Sequence, residues 1–286
     1  MFTYVRFRSN IDYHFYEQDA QIRAFTYRNY AVVPHAHEFY EVNIILSGHG
    51  VHQIEEKTVE VHAGNVFVIP PDIIHTYRDT HQLDVFHILL RPEFLQRNYA
   101  EAASVDGYLL LTEIEPFLRQ NASDPHFLQL SQQQLLQIKP DLELLAQNTP
   151  PEKTAPIAVH TMWKLLYLFS GYLKEQVHTQ APASYKYERE VLQMLEYIHQ
   201  HYHEKITIER LCGESFLSRS TCLRSFQAIC GCTPLQYIQN YRRKKATELL
   251  QNGEQSKSGI AQACGYYDQS HMKRALRPFI ENKNKP

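Results

Sequence analysis

The sequence predicts an α+β protein: a β-rich N-terminal barrel or sandwich with appended helices, followed by a wholly helical C-terminal third. Two patterns carry that expectation. Residues 1–90 alternate in short β-rich runs broken by turn residues, as in Tyr40–Leu46 before Ser47-Gly48-His49-Gly50, and Val66–Ile69 before Pro70-Pro71-Asp72. From Pro92 onward apolar residues recur at three- and four-residue intervals instead. A third observation is chemical. Residues 1–184 hold 13 basic against 21 acidic side chains, and residues 185–286 hold 16 against 10, so a near-neutral total of −2 hides an acidic part and a basic one. A basic end suits a polyanion.

With 286 residues, 43% hydrophobic and 21% charged, the chain has room for about two domains with real cores. Disorder and a disulfide-stapled miniature are excluded. No apolar run reaches the roughly 20 residues a membrane helix needs, and Met1–Asn10 carries no apolar signal stretch, so a cytoplasmic protein with no membrane partner is expected. The five cysteines (Cys212, Cys222, Cys230, Cys232, Cys264) all lie in the basic part at spacings unlike paired zinc ligands. They read as reduced thiols packed as small apolar groups.

The strands are expected within residues 1–91. Residues 92–176 follow as a helical extension, with helix-like clusters at Tyr108–Leu118, Phe127–Gln137 and Pro140–Gln147. In Ile157–Gln176, Val159, Met162, Trp163, Leu166, Phe169 and Leu173 form one apolar stripe, and Ala158, Leu165, Leu168 and Tyr172 a second. Two stripes need two partners, either both within one domain or one on a twin, and the expectation is a homodimer through 157–176. Residues 177–186, with Pro182, read as a linker.

Residues 187–286 read as helices throughout. Ser218 stands as N-cap of a helix that turns Cys222, Phe226 and Ile229 inward, leaving Arg219, Ser220, Thr221, Leu223, Arg224 and Gln227 to face out. Two short helices joined by a tight turn, the second capped by Ser and rich in Arg and hydroxyls, form a helix-turn-helix pattern. Such a second helix fits the major groove of duplex DNA, where Arg224 matches guanine and Leu223 a thymine methyl. Arg242-Arg243-Lys244-Lys245 follow on a long helix, where they form either a solvated basic face or phosphate contacts, Arg243 being the candidate.

The run Leu211-Cys212-Gly213, Leu217 through Phe226, Gly231-Cys232-Thr233-Pro234, Tyr237-Ile238 and Arg242 through Leu250 resembles the DNA-binding domain of the AraC/XylS transcription regulators. So does Ile260 through His271. The resemblance implies seven helices in two helix-turn-helix units bridged by a long helix. Base-facing residues would be Ser220, Leu223 and Arg224 in the first unit, and Gln269, Ser270, Lys273 and Arg274 in the second. The second unit departs from the pattern: Lys257 replaces an apolar anchor, Gly259 sits inside a helix, Met272 replaces an aromatic, and Pro278 should interrupt the last helix. The first unit is therefore expected to supply most of the base readout.

In the N-terminal part His35, His37 and Glu41 share parity, so on a continuous strand they face one side, and His75 follows Gly64 and Pro70. This spacing resembles the paired motifs of the cupin barrel, with Asp72 and Asp79 in place of a usual Gly and Asn. The resemblance implies a divalent transition metal (Zn, Fe, Mn or Ni) on His35, His37, Glu41 and His75. Regulators of the AraC/XylS type instead bind a small organic effector in the barrel, and the same four polar groups can hold sugar hydroxyls. That is the expected role, and it requires no cofactor. Asn43, Tyr77 and His87 are candidates for added pocket polarity, while His14, His52, His62, His81 and His126 read as surface or satisfied core residues. The segment His35–Arg91 is most similar to the carbohydrate-responsive, rhamnose-operon subgroup.

These readings converge on a non-enzymatic, sugar-controlled activator that binds operator DNA and RNA polymerase. The rival expectations are a metal-dependent cupin enzyme with a helical tail, and a regulator without a ligand.

Overall fold

A computed structural model of the chain describes residues 5–7, 20–121, 127–150, 152–180, 187–252 and 256–283. The chain divides into two compact units, residues 1–181 and 182–286. His14, His126 and most of the expected linker lie outside the described residues.

Among the described residues the first unit is built on an eight-stranded sheet: β1 (Val5–Phe7), β2 (Ile22–Tyr27), β3 (Val32–His37), β4 (Tyr40–Ile54), β5 (Lys57–His62), β6 (Asn65–Ile69), β7 (His75–Leu90) and β8 (Leu128–Gln129). Two long antiparallel strands form its spine, with Tyr40 opposite Leu90 and Ile54 opposite His75. The register slips three times between Ile45 and Val51, and each slip bends the strands. Gly48 sits at one bend with φ +77°, where a Cβ would lie 2.2 Å from the Gln82 carbonyl oxygen. Opposite it, Asp79 and Gln82 also take positive φ. These bends fold the sheet on itself, so that Glu41 and Asn43 from one half of β4 and His52 from the other are all buried in one interior.

Helices close the unit. They are α1 (Pro92–Gln96), α2 (Tyr99–Ala102), a π-helical turn (Leu110–Ile114) running into α3 (Glu115–Asn121), α4 (Gln132–Asn148) and α5 (Pro156–Gln180). The sheet's exposed edge at β2 is satisfied by side chains: Thr149 Oγ1 accepts from the Ala24 amide at 3.0 Å, and Thr154 Oγ1 from the Ile22 amide at 3.0 Å. Three details differ from expectation. The sheet takes β8 from beyond residue 91, so Phe127–Leu130 is extended rather than helical, Gln129 pairing with Asn65. Pro140 lies inside one continuous α4, on its exposed face, where the missing N–H leaves only one carbonyl to water. Along α5, Ala158, Met162, Leu165, Leu166, Phe169 and Leu173 are buried and Trp163 stacks on Phe94, while Val159, Leu168 and Tyr172 are half-buried. Ile157, His160, Lys164, Gly171 and Glu175 are exposed along the helix. The helix also continues through 177–180, within the expected linker.

The second unit holds α6 (Glu188–His201), α7 (Ile208–Ser215), α8 (Arg219–Cys230), α9 (Pro234–Asn252), α10 (Lys257–Ala263) and α11 (Gln269–Lys283). Caps mark the starts: Thr207 Oγ1 accepts from the Arg210 amide, Ser218 Oγ from the Thr221 amide, and Ser256 Oγ from the Gly259 amide. Cys222 touches Met194 of α6 at 3.4 Å, and Phe226 meets Tyr237 of α9 edge-to-face. His199 ties α6 to α9 by a 2.6 Å bond with the Tyr237 hydroxyl and by stacking on Tyr241. The second helix-turn-helix has its own core of Ala246, Ile260, Ala261, Cys264, Tyr266, Met272 and Leu276, so Met272 fills the aromatic's place. Pro278 does not interrupt α11, which runs to Lys283.

Gly48→Ala is expected to destabilise the first unit by about 2–4 kcal/mol, because the new methyl needs a left-handed φ and meets the Gln82 carbonyl. Urea denaturation followed by Trp163 fluorescence measures it, and an unchanged midpoint contradicts the bend.

Candidate functional sites

The interior of the first unit is centred on the Glu41 carboxylate. His37 Nε2 lies 2.9 Å and His75 Nε2 3.3 Å from Oε2, while His87 Nδ1 lies 2.5 Å from Oε1. All four residues are buried. Burial alone would raise the carboxyl's pKa, but the three imidazole hydrogen bonds hold it well below the usual range. On their other side the rings are held by backbone carbonyls: His35 Nδ1 by Val33 at 3.0 Å, His37 Nδ1 by Phe39 at 2.7 Å, and His75 Nδ1 by Ile73 at 3.0 Å. This pattern turns each Nε2 inward. Burial, then the neighbouring His75, pushes the His35 imidazole down to about 4.

Of the expected quartet, His35, Glu41 and His75 bring one ligand atom each within 4.8 Å of one another. His37 joins them through Glu41 and stacks flat on Phe39 at 4.3 Å. The donor set fits a divalent transition metal: two imidazoles and a carboxylate converge, and each ring is oriented by a backbone carbonyl, as ligand histidines commonly are. Both nitrogens of His37 and of His75 lie within hydrogen-bond distance of oxygen atoms.

Around this centre lie polar atoms without a hydrogen-bond partner among the described residues: Asn43 Oδ1, both His52 nitrogens, His87 Nε2 and Arg119 Nη1. Asn43 Nδ2 donates to the Tyr77 hydroxyl at 3.1 Å, and His52 stacks on Tyr77 at 4.4 Å. His52 is therefore part of this cluster, not a satisfied core residue. Burial holds it neutral, well below the usual histidine range. Arg119 and Glu115 escaped the sequence reading altogether. Arg119 is fully buried, lies 4.9 Å over the Phe67 ring, and pairs with Glu115 at 2.9 Å. Burial pushes the Glu115 carboxyl up to about 7. Their i, i+4 spacing looks like an ordinary surface pair, and only the turn preceding them, all buried from Leu110 to Ile114, signals otherwise.

In the second unit α8 buries Cys222, Ser225, Phe226 and Ile229. Arg219, Ser220, Arg224 and Gln227 are exposed, and Thr221 and Leu223 half-buried. Arg219 pairs with Glu209 of α7, and Gln227 Nε2 turns back to the Gly231 carbonyl at 3.0 Å. On α11 Ser270, Lys273 and Arg274 are exposed and Gln269 half-buried. The basic run on α9 splits by role. Arg242 bonds the Tyr202 carbonyl at 2.7 Å and the Glu204 carbonyl at 2.5 Å, closing the end of α6. Arg243 is half-buried and bonded to Asn240, while Lys244 is exposed. All five cysteines are free thiols, and burial pushes Cys222 up to about 12, a value without thiolate chemistry.

Two outcomes test these geometries. Glu41→Ala strips His37, His75 and His87 of their shared acceptor and is expected to cost the first unit about 3–5 kcal/mol in denaturant titration; a loss below 1 kcal/mol contradicts the hub. Arg224→Ala should weaken binding to a selected duplex by about 1–3 kcal/mol and relax preference at one base pair, whereas uniform loss over all sequences would remove it from base contact.

Residues 21–149 match the AraC-like ligand binding domain, and residues 211–281 match a helix-turn-helix domain. The uncharacterized HTH-type transcriptional regulator YdeC of Bacillus subtilis (strain 168) is 29% identical over 241 residues, covering 83% of this chain and 79% of its own. The HTH-type transcriptional activator RhaS of Klebsiella pneumoniae (strain 342) is 24% identical over 248 residues, covering 85% and 82%. Among solved structures, ToxT from Vibrio cholerae is 14% identical, with a TM-score of 0.35 over 90% of this chain and 94% of that one. No helix among the described residues is long and apolar enough to cross a membrane. A ligand-binding sheet domain followed by a helix-turn-helix domain, in a chain whose relatives are transcription regulators, makes this protein a DNA-binding transcriptional regulator of the AraC family.

Proposed function

We propose that the chain is a sugar-responsive activator, with the effector held in the interior of the first unit. One observation carries this reading: Asn43 Oδ1, both His52 nitrogens, His87 Nε2 and Arg119 Nη1 are buried without a hydrogen-bond partner among the described residues, in the same unit as the Glu41 centre. Leaving such atoms unpaired is costly, and a polyhydroxylated ligand supplies both the donors and the acceptors they lack. Hydroxyl groups would donate to Asn43 and to the imine nitrogens of His52 and His87, and accept from Arg119. His35, His37, Glu41 and His75 form the effector-binding set at the centre. The activator relatives, such as RhaS, support the sign of control. Duplex DNA meets α8 through Ser220, Leu223 and Arg224, with Arg219, Thr221 and Gln227 beside them, and α11 through Gln269, Ser270, Lys273 and Arg274. Arg243 is a peripheral phosphate contact, and RNA polymerase is the partner through which activation acts. A ligand of this kind shifts DNA occupancy only as far as its affinities for the two states differ. Catalysis forms no part of this reading.

A metal on His35, Glu41 and His75 is the second reading, favoured by the rings of His37 and His75 that face acceptors on both sides. Bound there, a divalent ion would supply Lewis acidity or a structural cross-link, and a metal-dependent enzyme would follow only from turnover.

Thermal-shift screening of the full chain against monosaccharides and divalent metals decides between them. A ligand at 100 times its Kd adds about 2.7 kcal/mol to stability, so one sugar should raise the melting temperature by several degrees. His37→Ala should abolish that rise while the full chain still binds its selected duplex. A rise with a transition metal alone, together with one equivalent in elemental analysis, contradicts the sugar reading.

A further inference from the structure

Phe216 and Tyr267 are 94% and 93% exposed, far beyond Leu136, the next large apolar side chain among the described residues, at 63%. They occupy almost the same place twice. Phe216 stands two residues before Ser218, the cap of α8, in the turn of the first helix-turn-helix. Tyr267 stands directly before Asp268, whose Oδ1 caps α11 by accepting from the His271 amide at 2.7 Å. Phe216 also adopts φ +53° and ψ +27°, closing α7 with its N–H on the Cys212 and Gly213 carbonyls. That is the position where helices favour glycine. A bulky side chain here bears backbone strain and exposure to water together, and the fold gains no burial from either ring.

We propose that Phe216 and Tyr267 are DNA-contacting aromatics, each laid against the deoxyribose of the strand that borders the groove read by its own helix. The inference rests on the regulator reading above. Three features favour duplex DNA as the occupant. Each ring adjoins the N-terminal end of a recognition helix, the end that approaches the bases. Each is flanked by exposed hydroxyl and cationic side chains, Arg219, Ser220 and Arg224 in one case and Ser270, Lys273 and Arg274 in the other, which suit a strand of sugars between phosphates. And the feature recurs with the helix-turn-helix unit itself, so it belongs with the partner that both units share. A protein partner docking on one turn would not call for the same device on the second.

The test uses full-chain Phe216→Gly and Tyr267→Ser, alone and combined, against a duplex selected by the wild-type chain from a random-sequence pool. Glycine suits the backbone at 216, so the first variant should melt no lower than wild type. Each variant should bind about tenfold more weakly, as expected for re-exposing part of an aromatic ring, and the pair about a hundredfold. Base preference and the salt slope should be unchanged, because no cation is lost. Wild-type affinity in both variants overturns the proposal. So does normal DNA binding with lost activation in a reconstituted transcription assay, which would assign the rings to polymerase. If the wild-type chain selects no duplex, the regulator reading fails first, and the two failures are thereby told apart.

Discussion

The burial of one face of α8 is the constraint on which the DNA-facing half of the protein depends. Cys222 is held against α6 and Phe226 against α9, Ile229 is buried beside them on the same face, and the Ser218 cap fixes where the helix begins. With origin and rotation both set, the direction of every other side chain follows from the 3.6-residue period. Ser220 and Arg224 lie one turn apart on the outward face, with Leu223 beside them. The same logic places Ser270, Lys273 and Arg274 on α11, where Met272 and Leu276 supply the buried face. A recognition helix of this kind is a core-packing device first, and its chemistry is what packing leaves over.

The first unit applies the opposite principle. There the polar groups are inside, and a single carboxylate organises them. Glu41 collects hydrogen bonds from β3 and from both ends of β7, so one side chain pins the strands that fold the sheet. A buried charge is tolerable only when its lone pairs are met, and three imidazoles meet those of Glu41. The ring of atoms beyond them is not satisfied in the same way. That contrast between a saturated centre and an unsaturated surround is the support for the proposed effector site.

Much of this was legible in the sequence because the signals are local. Parity put His35, His37 and Glu41 on one face, and a Ser cap with an i, i+4 apolar repeat located α8. What was not legible depended on bends and on distant strands. His52 shares the interior with Glu41 only because β4 bends around Gly48, and strand parity alone says nothing of such a fold-over. Arg119 reads as a surface cation until β6 and Phe67 are brought beneath it. Proline is a weak punctuation mark here, since Pro140 and Pro278 both sit within continuous helices. The second stripe of α5 is ambiguous in principle: a helix apolar on two sides needs two neighbours, and sequence spacing alone does not say which neighbour covers which side.

Saturation mutagenesis of a selected duplex, read by binding of the full chain, tests the central claim most directly. Two helices of one unit reading successive turns of the major groove predict two short blocks of base preference, centred about 10 base pairs apart. The block read by α8 should relax at one position when Arg224 becomes alanine. A single block, or preferences that survive unchanged in the Arg224 variant, would contradict the account of how these side chains are presented.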